Sequence, residues 1–254
     1  MNYKVAMVTG ASSGIGKAIA ESLAEHSLRL ILVARRQDKL EELQCNLQPK
    51  TQSHVIACDI TDKNKIKEAL KNLPAEFANI DVLINSAGLA LGLEPAQKTD
   101  WQDWEDMLNV NCLALTHLTR LLLPGMVERN LGHIVNLGSI AGTYPYPGGN
   151  VYGATKAFVE QFSLNLKADL LDTAVRVTNI EPGMVGDSEF SLVRFKGDEE
   201  KANKVYEGLK PLTPADVAES ALWVLKQPAH VNINRIEMMP VSQAPSSLAT
   251  SRKK

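Results

Sequence analysis

Short apolar runs alternate with amphipathic helical segments along most of the chain, and this alternation constrains the fold more than any other feature. The runs are apolar at consecutive positions, as expected of strands that helices cover on both faces. Strands of this kind, joined by helical crossovers, form a parallel and doubly wound sheet. The pattern predicts an α/β fold with a seven-stranded parallel sheet, its strands at 3–9, 28–34, 53–58, 81–84, 133–137, 175–180 and 232–238.

The helical segments include 14–26, about 104–130, 151–171 and 214–226. The alternation breaks in 183–213, a stretch with four glycines, a charge cluster and room for one short helix through Ala202, Val205 and Leu209. An insertion of this length after a sheet strand is typical of a lid or a binding loop. Because 254 residues suit one large α/β domain, we predict a single domain over 1–254 that contains this insertion.

Composition excludes several classes of protein. The net charge of −2 provides no basic field for nucleic acid or an anionic membrane. The longest apolar stretch, around 30–34, is too short to span a bilayer, and no apolar signal segment follows Met1. The three cysteines lack paired spacing, which is typical of reduced thiols. These observations predict a cytoplasmic protein with no nucleic-acid, membrane or metal partner.

A glycine-rich turn joins the first predicted strand directly to a helix. Gly10 permits the tight turn, Gly14 lets the backbone approach a pyrophosphate, and Gly16 allows close contact between helix and strand. The helix N-terminus attracts the diphosphate. Glycines alone would indicate only a turn, but the strand–turn–helix context favours a dinucleotide site. The predicted cofactor-binding residues of this turn are Gly10, Ser12, Ser13, Gly14, Ile15 and Gly16.

The choice of cofactor depends on the end of the second strand. An acid at this point would hold the ribose 2′-hydroxyl of NAD, but this chain has Arg35 and Arg36 there. Two guanidinium groups suit a 2′-phosphate through forked, charge-assisted hydrogen bonds. The alternative is a solvated basic helix start, although cations are disfavoured at a helix N-terminus. We therefore predict NADP(H), with Arg35 as the stronger candidate.

Two more strand ends contribute predicted cofactor contacts. Asp59 and Ile60 follow the third strand, where an acid can accept a hydrogen bond from the adenine amino group, although Asp59 could equally cap a helix. After the fourth strand, Asn85, Ala87 and Gly88 let the backbone pass close to the adenosine. Carboxyl ends of strands are where open α/β sheets bind ligands.

Tyr152 and Lys156 are the predicted catalytic pair. They are four residues apart on one helix, so their side chains share a face. A free phenol has a pKa of about 10, and a nearby ammonium lowers that pKa toward the working range. We assign Tyr152 as general acid/base and Lys156 as its activator, which can also contact the nicotinamide ribose. Ser139, just past the fifth strand, would hold the substrate oxygen; its alternative role is a local turn.

In their order along the chain, these motifs resemble the short-chain dehydrogenase/reductase family over essentially the whole length. The resemblance implies a Rossmann fold with strand order 3-2-1-4-5-6-7 and a homotetramer. It also implies a fourth catalytic residue, Asn111, which would hold a water on a proton path from Lys156. The family's Pro-Gly motif and the segment after it suggest further nicotinamide contacts, carried here by Pro182, Gly183, Val185 and Ser188.

Within that family, the segments at 146–152, 181–185, 189–197 and 231–240 resemble NADP-dependent 3-hydroxy acid dehydrogenases. The resemblance implies oxidation of serine, allo-threonine or 3-hydroxy acids, or reduction of malonic semialdehyde. A carboxylate substrate needs a cation in the pocket, and the insertion offers Arg194 and Lys196. Both could instead be solvated loop charges. The tentative substrate residues are Ser139, Tyr152 and Arg194.

Two other functions remain open at this stage. One is a ketoacyl or general carbonyl reductase that uses the same catalytic residues, with an apolar groove in place of a cationic pocket. The other belongs to a different class, a non-catalytic nucleotide-sensing protein, which should lack Tyr152 or Lys156. Because both residues are present, the sequence favours an enzyme.

Overall fold

The structure, a computed structural model, describes residues 2–245. Residue 1 and residues 246–254, the outermost parts of the predicted domain, lie outside the described residues. One parallel sheet runs through the fold in the order β3-β2-β1-β4-β5-β6-β7. The fold class and strand order therefore match the prediction. The strands are β1 Val5–Thr9, β2 Arg29–Ala34, β3 Ser53–Ala57, β4 Val82–Asn85, β5 Gly132–Leu137, β6 Val175–Pro182 and β7 Arg235–Met238.

Nine α-helices are present in the described part of the chain, most of them packed on the two faces of the sheet. On one face, α1, α2 and α9 bury leucine, isoleucine and valine side chains against the strands. On the other face, α3, α5 and α6 do the same. Complete burial of one such side chain stabilises the fold by about 1.5–3 kcal/mol. The helices are α1 Gly14–Ala24, α2 Gln37–Leu47, α3 Lys63–Lys71, α4 Trp101–Leu108, α5 Leu115–Glu128, α6 Asn150–Asp169, α7 Phe190–Arg194, α8 Glu199–Lys204 and α9 Pro214–Lys226.

The helix expected at about 104–130 is in fact three segments. It begins at Trp101, because the Asp100 side chain accepts a hydrogen bond from the backbone N–H of Gln102 and caps α4. A π-helical segment, Asn109–Ala114, then separates α4 from α5. Hydrophobic periodicity does not reveal one extra residue in a turn, so this segment could not be predicted from the sequence. Single π-turns inside helices are frequent at functional sites.

Two other boundaries differ from expectation for identifiable reasons. The last strand begins at Arg235 rather than at 232, because the Asn232 side chain bonds both the N–H and the C=O of Val177 at 2.9 Å and replaces backbone pairing there. The insertion contains α7 and α8 where one helix was expected, and α8 ends at Lys204, before Val205 and Leu209.

By length and composition alone, the helical run Trp101–Glu128 could cross a membrane, although the sequence was expected to hold no such stretch. In the fold this run packs on the protein interior. Met107, Leu118 and Met126 are fully buried there. The run is therefore also explained as a core helix of the sheet's covering layer.

Candidate active site

The glycine turn between β1 and α1 is built for close backbone approach. Gly10 has a positive φ of 67°, which favours glycine, and a methyl group at Gly16 would overlap the carbonyl of Gly10. Ser13, the N-cap of α1, makes no side-chain capping bond, and the first turn has no acid. The N–H groups at this helix end are therefore available to an anion such as a phosphate.

A cavity of about 450 Å³ opens beside this helix end. Both the turn and the insertion contribute to its walls. The lining residues include Ser12, Ser13, Gly14, Lys17, Asp187 and Ser188. Ser188 also lies next to Gly14, where a Cβ would be 3.3 Å from the Cβ of Ser188. The structure therefore brings the predicted Ser188 to the phosphate side of the turn.

Thr9 holds the loop after β4 against the glycine turn. Its hydroxyl oxygen accepts hydrogen bonds from the backbone N–H groups of Ser86 at 3.0 Å and Ala87 at 2.9 Å. Asn85 directs its side chain into the interior instead, where it donates to Asn136 at 2.8 Å and to Thr119 at 3.1 Å. The amide of Asn85 therefore joins β4 to β5, which leaves its backbone as the part that could contact a ligand.

The two predicted phosphate-reading arginines have different environments. Arg36 makes a two-pronged ion pair with Glu189, at 2.9 and 2.7 Å, and also donates to the Ser12 hydroxyl at 3.2 Å. Arg35 is exposed, and within residues 2–245 no hydrogen bond or ion pair engages its guanidinium. Arg35 is thus available to a ligand, whereas Arg36 already has an acidic partner.

Asp59 lies near Arg35 at the end of β3. Its carboxylate accepts from the Thr61 N–H at 2.8 Å and the Thr61 hydroxyl at 2.7 Å. Burial opposes ionisation of this carboxyl, but the Thr61 bonds and the Arg35 charge outweigh burial and lower the pKa of Asp59. Asp59 is therefore a charged acceptor at the edge of the site. The cap of α3 is Asp62 instead.

Tyr152 and Lys156 lie together on α6 and are both buried. The Lys156 Nζ is 5.8 Å from the centroid of the Tyr152 ring and donates to the Leu137 carbonyl at 2.7 Å. A Cβ at Gly88 would be 3.5 Å from the same Nζ. The pair therefore faces the loop that follows β4, on the side of the sheet where the glycine turn lies.

The protonation of this pair differs from the sequence-based hypothesis, in which Lys156 lowers the pKa of the phenol. Burial raises the pKa of Tyr152 to about 12, although the hydrogen bond with Ser139 and the charge of Arg194 act in the opposite direction. Burial also lowers the pKa of Lys156 to about 8. Desolvation disfavours the charged form of both groups and is the largest cause of each shift.

Ser139 and Asn111 fix the surroundings of the pair. Ser139 accepts from the Ala141 N–H at 3.1 Å, which is the local turn considered above, and its hydroxyl also reaches Tyr152. Asn111, in the π-helical segment, bonds the N–H and C=O of Leu89 at 2.9 and 2.8 Å and donates to Thr155 at 3.0 Å. Asn111 thereby joins the β4 loop to α6 from a buried position.

Arg194, at the end of α7, covers Tyr152. Its guanidinium carbon is 5.2 Å from the centroid of the Tyr152 ring, 5.5 Å from that of Phe190 and 5.7 Å from that of Tyr146. It also donates a hydrogen bond to the Tyr146 hydroxyl, while its Nε is buried without a protein partner. A cation held among aromatic rings next to the phenol is arranged to receive an anionic group.

The amino-acid sequence matches the short chain dehydrogenase family over residues 4–195. The chain belongs to the short-chain dehydrogenase family. It is 53% identical over 248 residues to the NADP-dependent 3-hydroxy acid dehydrogenase YdfG of Escherichia coli K12, covering 98% of this chain and 99% of that protein. It is 46% identical over 238 residues to serine 3-dehydrogenase of Rhizobium radiobacter, covering 94% of each.

Solved structures agree with this assignment. The closed form of a serine dehydrogenase complexed with NADP+ superimposes with a TM-score of 0.94 at 53% identity, covering 98% of this chain and 100% of that one. A serine dehydrogenase from Escherichia coli superimposes with a TM-score of 0.82 at 49% identity, covering 94% and 99%.

In this short-chain dehydrogenase, several site residues escaped the sequence analysis. Tyr146 and Phe190 complete the aromatic surroundings of Arg194, and Glu189 pairs with Arg36. Tyr146 lies in the loop before α6. Its position six residues ahead of Tyr152 was the one feature of the sequence that placed it near the site. Lys196, a candidate for the substrate carboxylate, instead pairs with Asp103 at 2.8 Å.

Four other predicted positions have the following contacts in this short-chain dehydrogenase. Gly183 donates to the Met238 carbonyl at 2.7 Å, so the Pro182-Gly183 turn is fixed to the end of β7. The Val185 carbonyl accepts from the Tyr206 hydroxyl at 2.9 Å. Ile15 and Ile60 are half-buried and pack on the two cores that flank the sheet. No histidine, cysteine or acidic cluster within residues 2–245 could hold a metal.

Proposed function

We propose that this protein is an NADP(H)-dependent dehydrogenase that interconverts the hydroxyl of a small 3-hydroxy acid and its carbonyl. Serine, allo-threonine and 3-hydroxypropionate are the type of substrate. The observation that carries the substrate class is the Arg194 guanidinium, 5.2 Å from the Tyr152 ring centroid. A substrate that places its hydroxyl at Tyr152 can reach Arg194 with a carboxylate. The relatives named above support both the cofactor and this substrate class.

The residues present fit NADP. The N-terminal end of α1 offers uncapped N–H groups, and the cavity next to it has room for a diphosphate. Arg35 makes no ion pair among the described residues, although Asp59 is near, and it would contact the 2′-phosphate with Arg36 beside it. The β4 loop and the turn at Pro182-Gly183 would border the adenosine and the nicotinamide, respectively.

Each catalytic role follows from the position of its side chain. When bound, NADP would supply or accept the hydride. Tyr152 would exchange the proton at the substrate oxygen, and Ser139, whose hydroxyl lies beside that of Tyr152, would hold that oxygen. Lys156 would keep positive charge near the phenol. Asn111 would hold a water beside Lys156. The Asn111 Oδ1 and the Lys156 Nζ both lie next to Gly88, 3.3 and 3.5 Å from the position that a Cβ would take there.

A substrate panel tests this function directly. The purified protein is assayed by NADPH absorbance with serine, allo-threonine, 3-hydroxypropionate, a neutral alcohol of equal length and a 3-oxoacyl thioester. We expect the highest kcat/KM with a 3-hydroxy acid. Preference for the thioester or a neutral ketone would identify a ketoacyl or general carbonyl reductase. NADPH binding without turnover of any substrate would identify a nucleotide-sensing protein.

Replacing Arg35 by alanine should weaken NADPH binding by about tenfold or more, because a charge-assisted hydrogen bond contributes about 1.5–3 kcal/mol. NADH lacks the 2′-phosphate, so its affinity should change little. Titration of cofactor fluorescence with each nucleotide measures the two dissociation constants. Equal losses for both nucleotides would show that Arg35 does not contact the phosphate.

The rate of alcohol oxidation should rise with pH. Oxidation needs the phenolate of Tyr152, and burial raises its pKa to about 12, so the active form increases as pH rises. Lys156, with its pKa lowered to about 8, loses its charge over the same range. The increase in kcat/KM should therefore be less than tenfold per pH unit above pH 8. Reduction needs the neutral phenol, so its kcat/KM should not increase with pH. An oxidation rate that does not change with pH would argue against Tyr152 as the base.

We further propose a cytoplasmic homotetramer. The three cysteines are unpaired thiols, which suits a reducing compartment. Leu113 and Phe158 are 52% and 43% exposed on adjacent helical elements, and Trp223 is 51% exposed on α9, while β7 is a sheet edge. Leu113 and Phe158 mark one exposed apolar surface, and Trp223 with the edge strand β7 marks a second. A tetramer with three two-fold axes requires two such surfaces. Phe158→Glu should reduce the mass measured by light scattering, and an unchanged mass would exclude that face.

A further inference from the structure

The segment that carries Arg194 is held at both of its ends. At its C-terminal end, the Gly92 N–H donates to the Arg194 carbonyl at 2.9 Å, and Lys196 pairs with Asp103 of α4 at 2.8 Å. At its N-terminal end, Glu189 directly precedes α7 and pairs with Arg36. A helix of five residues has little stability of its own, so its position depends on contacts with its surroundings. Besides the contacts at its ends, Phe190 packs on Tyr152 and Ser191 bonds the Tyr206 hydroxyl at 2.8 Å.

The Glu189–Arg36 pair has the geometry of a specific anchor. Both carboxylate oxygens of Glu189 accept from the two terminal nitrogens of Arg36, at 2.9 and 2.7 Å. The Ser13 hydroxyl also bonds Glu189 and, with Arg36, lowers the pKa of its carboxyl. The pair therefore joins the insertion to the glycine turn and to the start of α2. Arg36 and Glu189 are 153 residues apart in the sequence.

Its exposure argues that the pair affects position more than overall stability. The side chains of Arg36 and Glu189 are 41% and 47% exposed, and exposed ion pairs contribute little to the free energy of unfolding. A short segment such as α7 can nevertheless be displaced locally at small cost when one of its few contacts is lost. Losing the pair should therefore loosen α7 without unfolding the domain.

We propose that Glu189 is a positioning residue, which holds α7, and through it Arg194, over Tyr152 by pairing with Arg36 at the nucleotide turn. Arg36 thus serves the substrate side of the site, which leaves Arg35 as the main reader of the 2′-phosphate. The order of α7 is thereby coupled to the cofactor site, although Glu189 itself touches neither reacting group. This inference rests on the proposed function for its kinetic consequence alone.

The first test is amide hydrogen exchange, which needs no substrate. Peptides that cover 187–197 should exchange about threefold to tenfold faster in Glu189→Gln than in the wild type, because glutamine keeps the shape but loses the charge. Glu189→Asp should restore part of the protection. The matched control is Glu25→Gln, which breaks an equally exposed ion pair, with Lys50, at the far end of α1. Unchanged exchange at 187–197 in Glu189→Gln would overturn the proposal.

The second test is kinetic. In Glu189→Gln, the KM for a 3-hydroxy acid should rise about threefold to tenfold, while the KM for a neutral alcohol changes less than twofold. The affinity for NADPH should stay the same or increase, because Glu189 lines the nucleotide cavity and its loss leaves Arg36 without an acidic partner. Equal increases for both substrates, or weaker NADPH binding, would overturn the proposal, since Glu189 would then act on the cofactor. Absence of 3-hydroxy acid turnover in the wild type would contradict the proposed function instead, and the exchange result would still decide the role of Glu189.

Discussion

Replacing Tyr152 by phenylalanine is expected to lower kcat by about 10²–10⁴ while NADPH affinity stays within about twofold. Phenylalanine retains the ring and its contact with Phe190, whose centroid is 5.9 Å away, and removes only the hydroxyl. General acid/base catalysis by a positioned side chain contributes a factor of this size. Single-turnover reduction of the carbonyl substrate, followed by NADPH absorbance, measures the chemical step, and fluorescence titration measures binding.

Tyr144→Phe is the matched control for this substitution. Tyr144 lies in the loop before α6, eight residues ahead of Tyr152, but its hydroxyl donates to Glu237 at 3.1 Å on the exposed side of β7. Removing that hydroxyl should leave kcat within about twofold. If Tyr152→Phe kept near-normal kcat, a different group would have to donate the proton, and Lys156, with its pKa near 8, would be the first candidate.

The sheet and the nucleotide turn could be predicted because their signals are local. Consecutive apolar positions mark each buried strand. Within the turn, glycine is favoured at Gly10 by its positive φ and at Gly16 by the carbonyl of Gly10, six residues earlier. Tyr152 and Lys156 share a face because they are four residues apart on one helix. In each case, the sequence separation between interacting groups is short enough for a pattern to record it.

The rest of the site depends on contacts between distant segments. Glu189 meets Arg36 across 153 residues, and no periodicity indicates that pairing. The sequence favoured Arg194 over Lys196 only tentatively, because the pairing of Lys196 with Asp103 joins segments that are 93 residues apart. The raised pKa of Tyr152 differs from the sequence-based expectation, because the i, i+4 spacing shows the neighbouring ammonium but not the burial of the phenol.

Replacing Arg194 by leucine should raise the KM for a 3-hydroxy acid by about 10–100-fold, because the carboxylate loses a forked and charged partner in a partly desolvated pocket. The KM for a neutral alcohol of the same length should change by less than about threefold. Arg194→Lys should recover only part of the loss, since an ammonium lacks the planar fork and cannot pack flat among the rings of Tyr146 and Phe190. Initial-rate measurements with both substrates at saturating NADP give the two KM values for each variant.

The matched control is Lys201→Ala, which removes another cation of the same insertion. Lys201 pairs with Asp198 at 3.0 Å and is 68% exposed, so its loss should leave both KM values within about twofold. If Arg194→Leu raised KM equally for the acid and the neutral alcohol, Arg194 would act by shaping the pocket. The carboxylate would then have to bind elsewhere.

Because Arg194 also lowers the pKa of Tyr152, its loss should in addition move the rise of the oxidation rate to higher pH. A neutral alcohol reports that shift without any change in carboxylate binding, which separates the two roles of one guanidinium.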